Sequence, residues 1–180
     1  MLRATPALVV LGAVFIAAGC GGGSSSNESS AEEWASGFCS ALTSWTDSVK
    51  SAGTSLQGNV SEDGLKSAAG DIKRASDTLV DDLKDLGKPD TKAGQEARDA
   101  IDQLSSEVEQ DVQDMQSAVD EVSGAQGALA AATSVATTLS KMGTQIGSAA
   151  SKLDAADPDG ELRQAFRDSS DCKKLTSSNS

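Results

Sequence analysis

The sequence predicts an all-α protein: an up-down-up-down four-helix bundle followed by a short C-terminal helix. Three observations carry this. From residue 31 onward the apolar residues recur every three or four positions, the spacing of a helix face and not of a strand. Glycine, asparagine and proline interrupt that pattern at Gly53 to Asn59, at Gly87 to Pro89 and at Ser123 to Gly127, dividing it into four segments of similar length. At 180 residues and 18.2 kDa the chain is long enough for one core and too short for two ordinary ones.

Residues 1–19 read as a signal segment. Arg3 supplies a weak basic start, and Ala7 to Ala18 form a 12-residue apolar run. A membrane-spanning helix needs about 20 such residues, so this run has the length of a cleaved signal. It ends in Ala17-Ala18-Gly19-Cys20, small residues before a cysteine. Here the chain resembles the bacterial lipoprotein precursors, over its first 20 residues or so. It departs from their commonest pattern at Ala17, where leucine is usual. The resemblance implies that Cys20 receives a diacylglyceryl group and, after cleavage, becomes a lipid-anchored N-terminus. Residues 20–30, rich in glycine and serine, then act as a flexible tether with a reach of about 17 to 19 Å for ten residues. Two acyl chains, at ~0.8 kcal/mol per buried methylene, hold such a chain stably at a membrane, whereas one alone is marginal.

Assigning Cys20 to lipid leaves Cys39 and Cys172 as an even remainder outside the cytoplasm, which reads as a disulfide. It would close a loop of 133 residues, for which loop-closure entropy suggests an upper value of roughly 4 to 5 kcal/mol. A redox-active pair is the alternative, but the two cysteines are far apart in sequence and lack the Cys-x-x-Cys spacing that lowers a thiol pKa.

The bundle domain spans residues 31–175, with 176–180 as a disordered tail. The first helix opens with the capping-box spacing Ser30-Ala31-Glu32-Glu33 and carries Trp34, Phe38, Leu42, Trp45 and Val49 on one stripe. Trp34, Phe38, Trp45 and Phe166 are the four aromatic residues after the signal segment and are assigned to the core, with Phe166 expected near Phe38 or Leu42. Ser61 can cap a second helix bearing Leu65, Ile72, Leu79, Leu83 and Leu86, which Gly87 and Pro89 end. A third carries Ala97, Ile101, Leu104, Val108, Val112, Met115, Val119 and Val122. A fourth carries Ala132, Val135, Leu139, Met142, Ile146, Ala149 and Leu153 in a heptad. A single helix over residues 91–153 would be about 90 Å long. A turn at Ser123 to Gly127 is the better reading, because each interior glycine costs ~1 kcal/mol and only a turn returns the tail to Cys39.

Composition removes several chemistries. Fifteen basic and 27 acidic residues give a net charge of −12, so no nucleic-acid partner is expected. The absence of histidine and tyrosine removes the commonest general base and every Ser-His or Cys-His nucleophile pair. The stretch Asp157-Pro158-Asp159-Gly160-Glu161 is a partial match to a calcium loop. Ala155 stands where the first ligand belongs and Phe166 where the bidentate glutamate belongs, so a turn explains it better. Asp81, Asp82 and Asp85, and Glu107, Asp111 and Asp114, read as solvated helix faces. Ser170-x-x-Lys173 lacks the companion elements of the penicillin-binding class. No catalytic residue, metal or cofactor is expected.

Together these readings imply a lipid-anchored, extracytoplasmic protein with a non-enzymatic binding or structural role at the cell envelope. Its abundance of alanine, glycine and aspartate resembles the small helical envelope lipoproteins of high-GC Gram-positive bacteria. Its partners are membrane lipid through acylated Cys20 and an envelope protein. Two alternatives stand beside it. One is a bundle binding a small or apolar ligand, if the Ala- and Gly-lined fourth helix leaves a cavity of about 300 Å³ or more. The other is a helix-pairing assembly module. In either case Lys173 and Lys174 are expected at the tether end, facing anionic head groups.

Overall fold

The computed structural model describes residues 28–58, 61–157 and 160–177. The described residues form helices α1 (Ala31–Gly58), α2 (Glu62–Asp85), α3 (Gly94–Asp120), α4 (Gly124–Ala156), α5 (Glu161–Asp168) and α6 (Ser170–Ser177). Two residues on each side form a parallel pair of strands, β1 (Glu28–Ser29) with β2 (Lys88–Pro89). The signal segment, Cys20 and the first part of the tether lie outside the described residues.

The first four helices run up-down-up-down, and local signals set their ends. Ser30 and Glu33 form the capping box: the Glu33 N–H donates to Ser30 Oγ at 3.2 Å and the Ser30 N–H to Glu33 Oε2 at 3.3 Å. Ser61 Oγ accepts from the Gly64 N–H at 3.1 Å and caps α2. Gly87, with φ 65°, makes the turn after α2, and the buried Trp34 Nε1–H donates to its carbonyl at 3.2 Å. Gly124, with φ 70°, lets the chain reverse between α3 and α4. Residues 94–156 are therefore two helices joined at Glu121 to Ser123.

The core fills the bundle in two stretches. Nearer the start of α1, Trp34, Phe38 and Leu42 pack with Leu83, Ile101 and Leu153. At the far end, Ala52, Leu65, Ile72, Met115, Val122 and Ala128 pack together, which places the α1–α2 and α3–α4 connections at one end of the molecule. Each fully buried Leu, Ile, Val or Met contributes about 1.5 to 3 kcal/mol. Trp45 satisfies its one donor inside the core, with Nε1–H to Ser76 Oγ at 3.0 Å.

The fold refines the sequence reading at several places, and α1 runs on through Gly53 to Gly58 where an interruption was expected. The tail forms two short helices and not one; the chain bends at Ser169, and Cys172 lies on α6. That helix runs through Ser177, past the expected domain end at 175, and residues 178–180 lie outside the described residues. Residues 28–30 of the expected tether are held by the β1–β2 pairing, with the Asp90 N–H donating to the Ser29 carbonyl at 2.8 Å. Finally, Asp111 does not lie on a solvated face. It is 1% exposed, and its Oδ1 accepts from Lys141 Nζ of α4 at 2.6 Å, because its side of α3 is the side that α4 covers.

Candidate functional site

The candidate site is a groove where the bundle fails to close. Helices α1 and α2, α2 and α3, and α3 and α4 pack closely, but the backbones of α1 and α4 hardly approach one another. The heptad of α4 records this. Val135, Met142, Ala149 and Leu153 are buried, whereas Ala132, Leu139 and Ile146, seven residues apart, are only half-buried. That row is the one that would meet α1 in a square bundle.

The C-terminal pair of helices packs on α1 beside this gap, while α4 approaches α2 across the diagonal of the bundle. Cys172 is bonded to Cys39 on α1 with an S–S distance of 2.02 Å. Ser36 Oγ on α1 donates to Asp171 Oδ2 on α6 at 2.7 Å. Asp157, buried at the end of α4, accepts from the N–H groups of Gly160, Leu162 and Arg163, and so caps the first turn of α5. That capping explains the residue the sequence offered as a partial calcium ligand. With α5 tied to the end of α4 and α6 bonded to α1, the pair sits at the tether end of the gap.

The groove in front of this pair has a volume of about 790 Å³. Phe38 and Leu42 form one wall, and Ile146, Gly147 and Ala150 form the other. A Cβ built on Gly147 meets nothing within 4 Å, so the fourth helix leaves the channel clear there. Phe166 closes one end. It stands edge-on to both Trp34 (6.1 Å between ring centres, 81°) and Phe38 (5.7 Å, 79°), which are themselves stacked at 5.7 Å.

The rim is basic. Arg163, Arg167 and Lys173 line it beside a single carboxylate, Asp154, which leaves the groove net positive in a chain of net charge −12. Arg163 is bound to Asp154, with Nε to Oδ1 at 2.5 Å and Nη2 to the Asp154 carbonyl at 2.9 Å. Lys173 Nζ donates to the Asp168 carbonyl at 3.1 Å. Lys174, which the sequence reading aimed at head groups, is paired with Asp171 at 2.8 Å. Lys174 and Ser36 hold the Asp171 carboxyl below the usual carboxylate range.

Other cavities are more polar. One of about 540 Å³ between α1 and α2 is lined by Ser44, Asp47, Ser48 and Asp71. Another, of about 380 Å³ between α3 and α4, is lined by Glu107, Lys141, Gln145 and Lys152. Among the described residues no group of three or more His, Cys, Asp and Glu is placed to hold a metal ion. No helix among them is long and apolar enough to cross a membrane.

Of the residues singled out from the sequence, Cys39 and Cys172 are joined, and Trp34, Phe38 and Trp45 are buried. Phe166 lies against Phe38 as expected but is only half-buried, and Trp45 sits away from the groove against α2. Cys20 lies outside the described residues. The residues that sequence reasoning missed are Arg163 and Arg167, whose spacing of four on one short helix was the available signal. No protein-family model matches this chain, and neither a curated protein nor a solved structure is significantly similar to it.

Proposed function

We propose that this protein is a lipoprotein, anchored through acylated Cys20 to the extracytoplasmic face of the cell membrane, that acts without catalysis by binding an apolar ligand in the groove between α1 and α4. The observation that carries the binding reading is the groove itself, about 790 Å³ with apolar walls on two helices, within the range of small-molecule sites. The anchoring reading is supported by the sequence: the short apolar run, the small residues before Cys20 and the Gly/Ser stretch after it. The two fit together in space. Cys39, beside the groove, lies about 12 Å along α1 from its first residue, so the groove is on the half of the bundle that a tether would hold nearest the bilayer.

Two experiments test this. Cys20→Ser should move the protein from the membrane fraction to the soluble fraction, and a mature N-terminus found unmodified at another residue would refute the anchor. Titration with a neutral apolar probe such as 1-decanol should show saturable binding that Gly147→Leu weakens. Binding unchanged by that substitution would refute the groove as the site.

A further inference from the structure

We propose that the groove is built for a single-chain, monoanionic amphiphile, a fatty acid whose carboxylate is bound by Arg167 and whose chain lies between α1 and α4. This deepens the groove reading above and depends on it. The shape suits one chain: from Ile146 to Asp154 the α4 wall is about 12 Å long, and no side chain obstructs it at Gly147. The half-buried Phe166 offers ring surface, against which methylenes pack without leaving a buried polar group unsatisfied.

The charge argues for an anionic head. Three cations and one carboxylate share this rim in a strongly acidic chain. Of the cations, Arg163 is held by Asp154 and Lys173 by the Asp168 carbonyl. Arg167 is exposed at the groove and has no ion-pair partner among the described residues. A guanidinium presents two parallel N–H donors that match the two oxygens of a carboxylate, so one such group suits a head of one negative charge. A cationic amphiphile of equal length would meet repulsion at this rim. A neutral one would gain the apolar contacts alone.

The test uses the full chain carrying Cys20→Ser, so that its own acyl chains do not compete, titrated calorimetrically with decanoate, 1-decanol and decyltrimethylammonium. Decanoate should bind at least tenfold tighter than the cation. Arg167→Gln should weaken decanoate about tenfold and leave 1-decanol within twofold of its original affinity. Gly147→Leu should weaken all three without lowering the melting temperature, which separates blocking of the channel from loss of the fold. Equal affinities for decanoate and the cation, or decanoate binding indifferent to Arg167→Gln, would overturn the fatty-acid assignment while leaving an apolar groove standing. Failure of both decanoate and 1-decanol to bind would overturn the assignment and the groove reading together.

Discussion

Cys172 on α6 is bonded to Cys39 on α1 across 133 residues, with their Cα atoms 4.9 Å apart, and this one bond ties the end of the chain to the bundle's first helix. The helix it holds is short: α6 has 8 residues, far fewer than an isolated helix needs in water. Its place on α1 therefore depends on the bond, with the Ser36–Asp171 contact as a secondary tie.

Cys172→Ser should lower the melting temperature by roughly 5 to 15 °C, from an upper value of about 4 to 5 kcal/mol for closing so long a loop. Comparing melts of the native chain with and without reductant checks the same quantity without mutation. A shift within error in both would mean that the bond does not constrain the unfolded chain.

Two glycines should respond to alanine with opposite signs. At Gly94, the first residue of α3, a Cβ would run into the backbone carbonyl of Pro89, which cannot move without disturbing the β1–β2 pairing. Gly94→Ala should cost about 1 to 3 kcal/mol. At Gly147 the space is open and the residue is mid-helix, so Gly147→Ala should stabilise by about 0.5 to 1 kcal/mol. Denaturant midpoints at constant slope measure both.

Asp111 and Lys141 join α3 to α4 from very different environments, the carboxylate side chain being 2% exposed and the lysine side chain 55%. Replacing Lys141 by Met should strand a buried carboxylate whose other oxygen, Oδ2, already lacks a partner, and should lower the melting temperature on the order of 5 °C. Adding Asp111→Leu should recover most of that loss, since an apolar pair of similar volume leaves nothing unsatisfied. A double variant no more stable than Lys141→Met would show that the ion pair is more than a satisfied burial.

Stability should be flat across neutral pH and fall at both extremes. The chain contains no histidine, the residue that ordinarily titrates between pH 5 and 8. Asp171 has a depressed folded pKa, so its contribution is present above the usual aspartate value near 3.8 and is lost as pH falls through the lower folded value. Lys141, Lys84 and Lys66 have raised folded pKa values, through their bonds to Asp111, Glu109 and Glu62. Their contributions are full below 10.5 and are lost as pH rises through the folded values. Melting temperatures measured from pH 2 to 12 should show that plateau; a transition near pH 6.5 would contradict it.

The sequence by itself determined the helices and their order, which rest on local chemistry, and the pairing of Cys39 with Cys172, which rests on the count of cysteines. The caps at Ser30 and Ser61, the reversals at Gly87 and Gly124 and the apolar stripes between them are all readable over a few residues. The near-equal segments then leave few ways to fold back. Tertiary structure decided which of those stripes is actually covered. Ile146 reads as core by its heptad spacing, yet it borders an open groove shared with residues of α5 and α6, more than a dozen residues further on. Asp111 read as solvated by its charge, yet lies under α4 because only the rotation of two packed helices sets which side of α3 is buried. Periodicity reports which face of a helix is apolar; what that face meets depends on the packing of elements distant in sequence, and the basic rim of Arg163 and Arg167 beside Phe38 exists only once that packing is made.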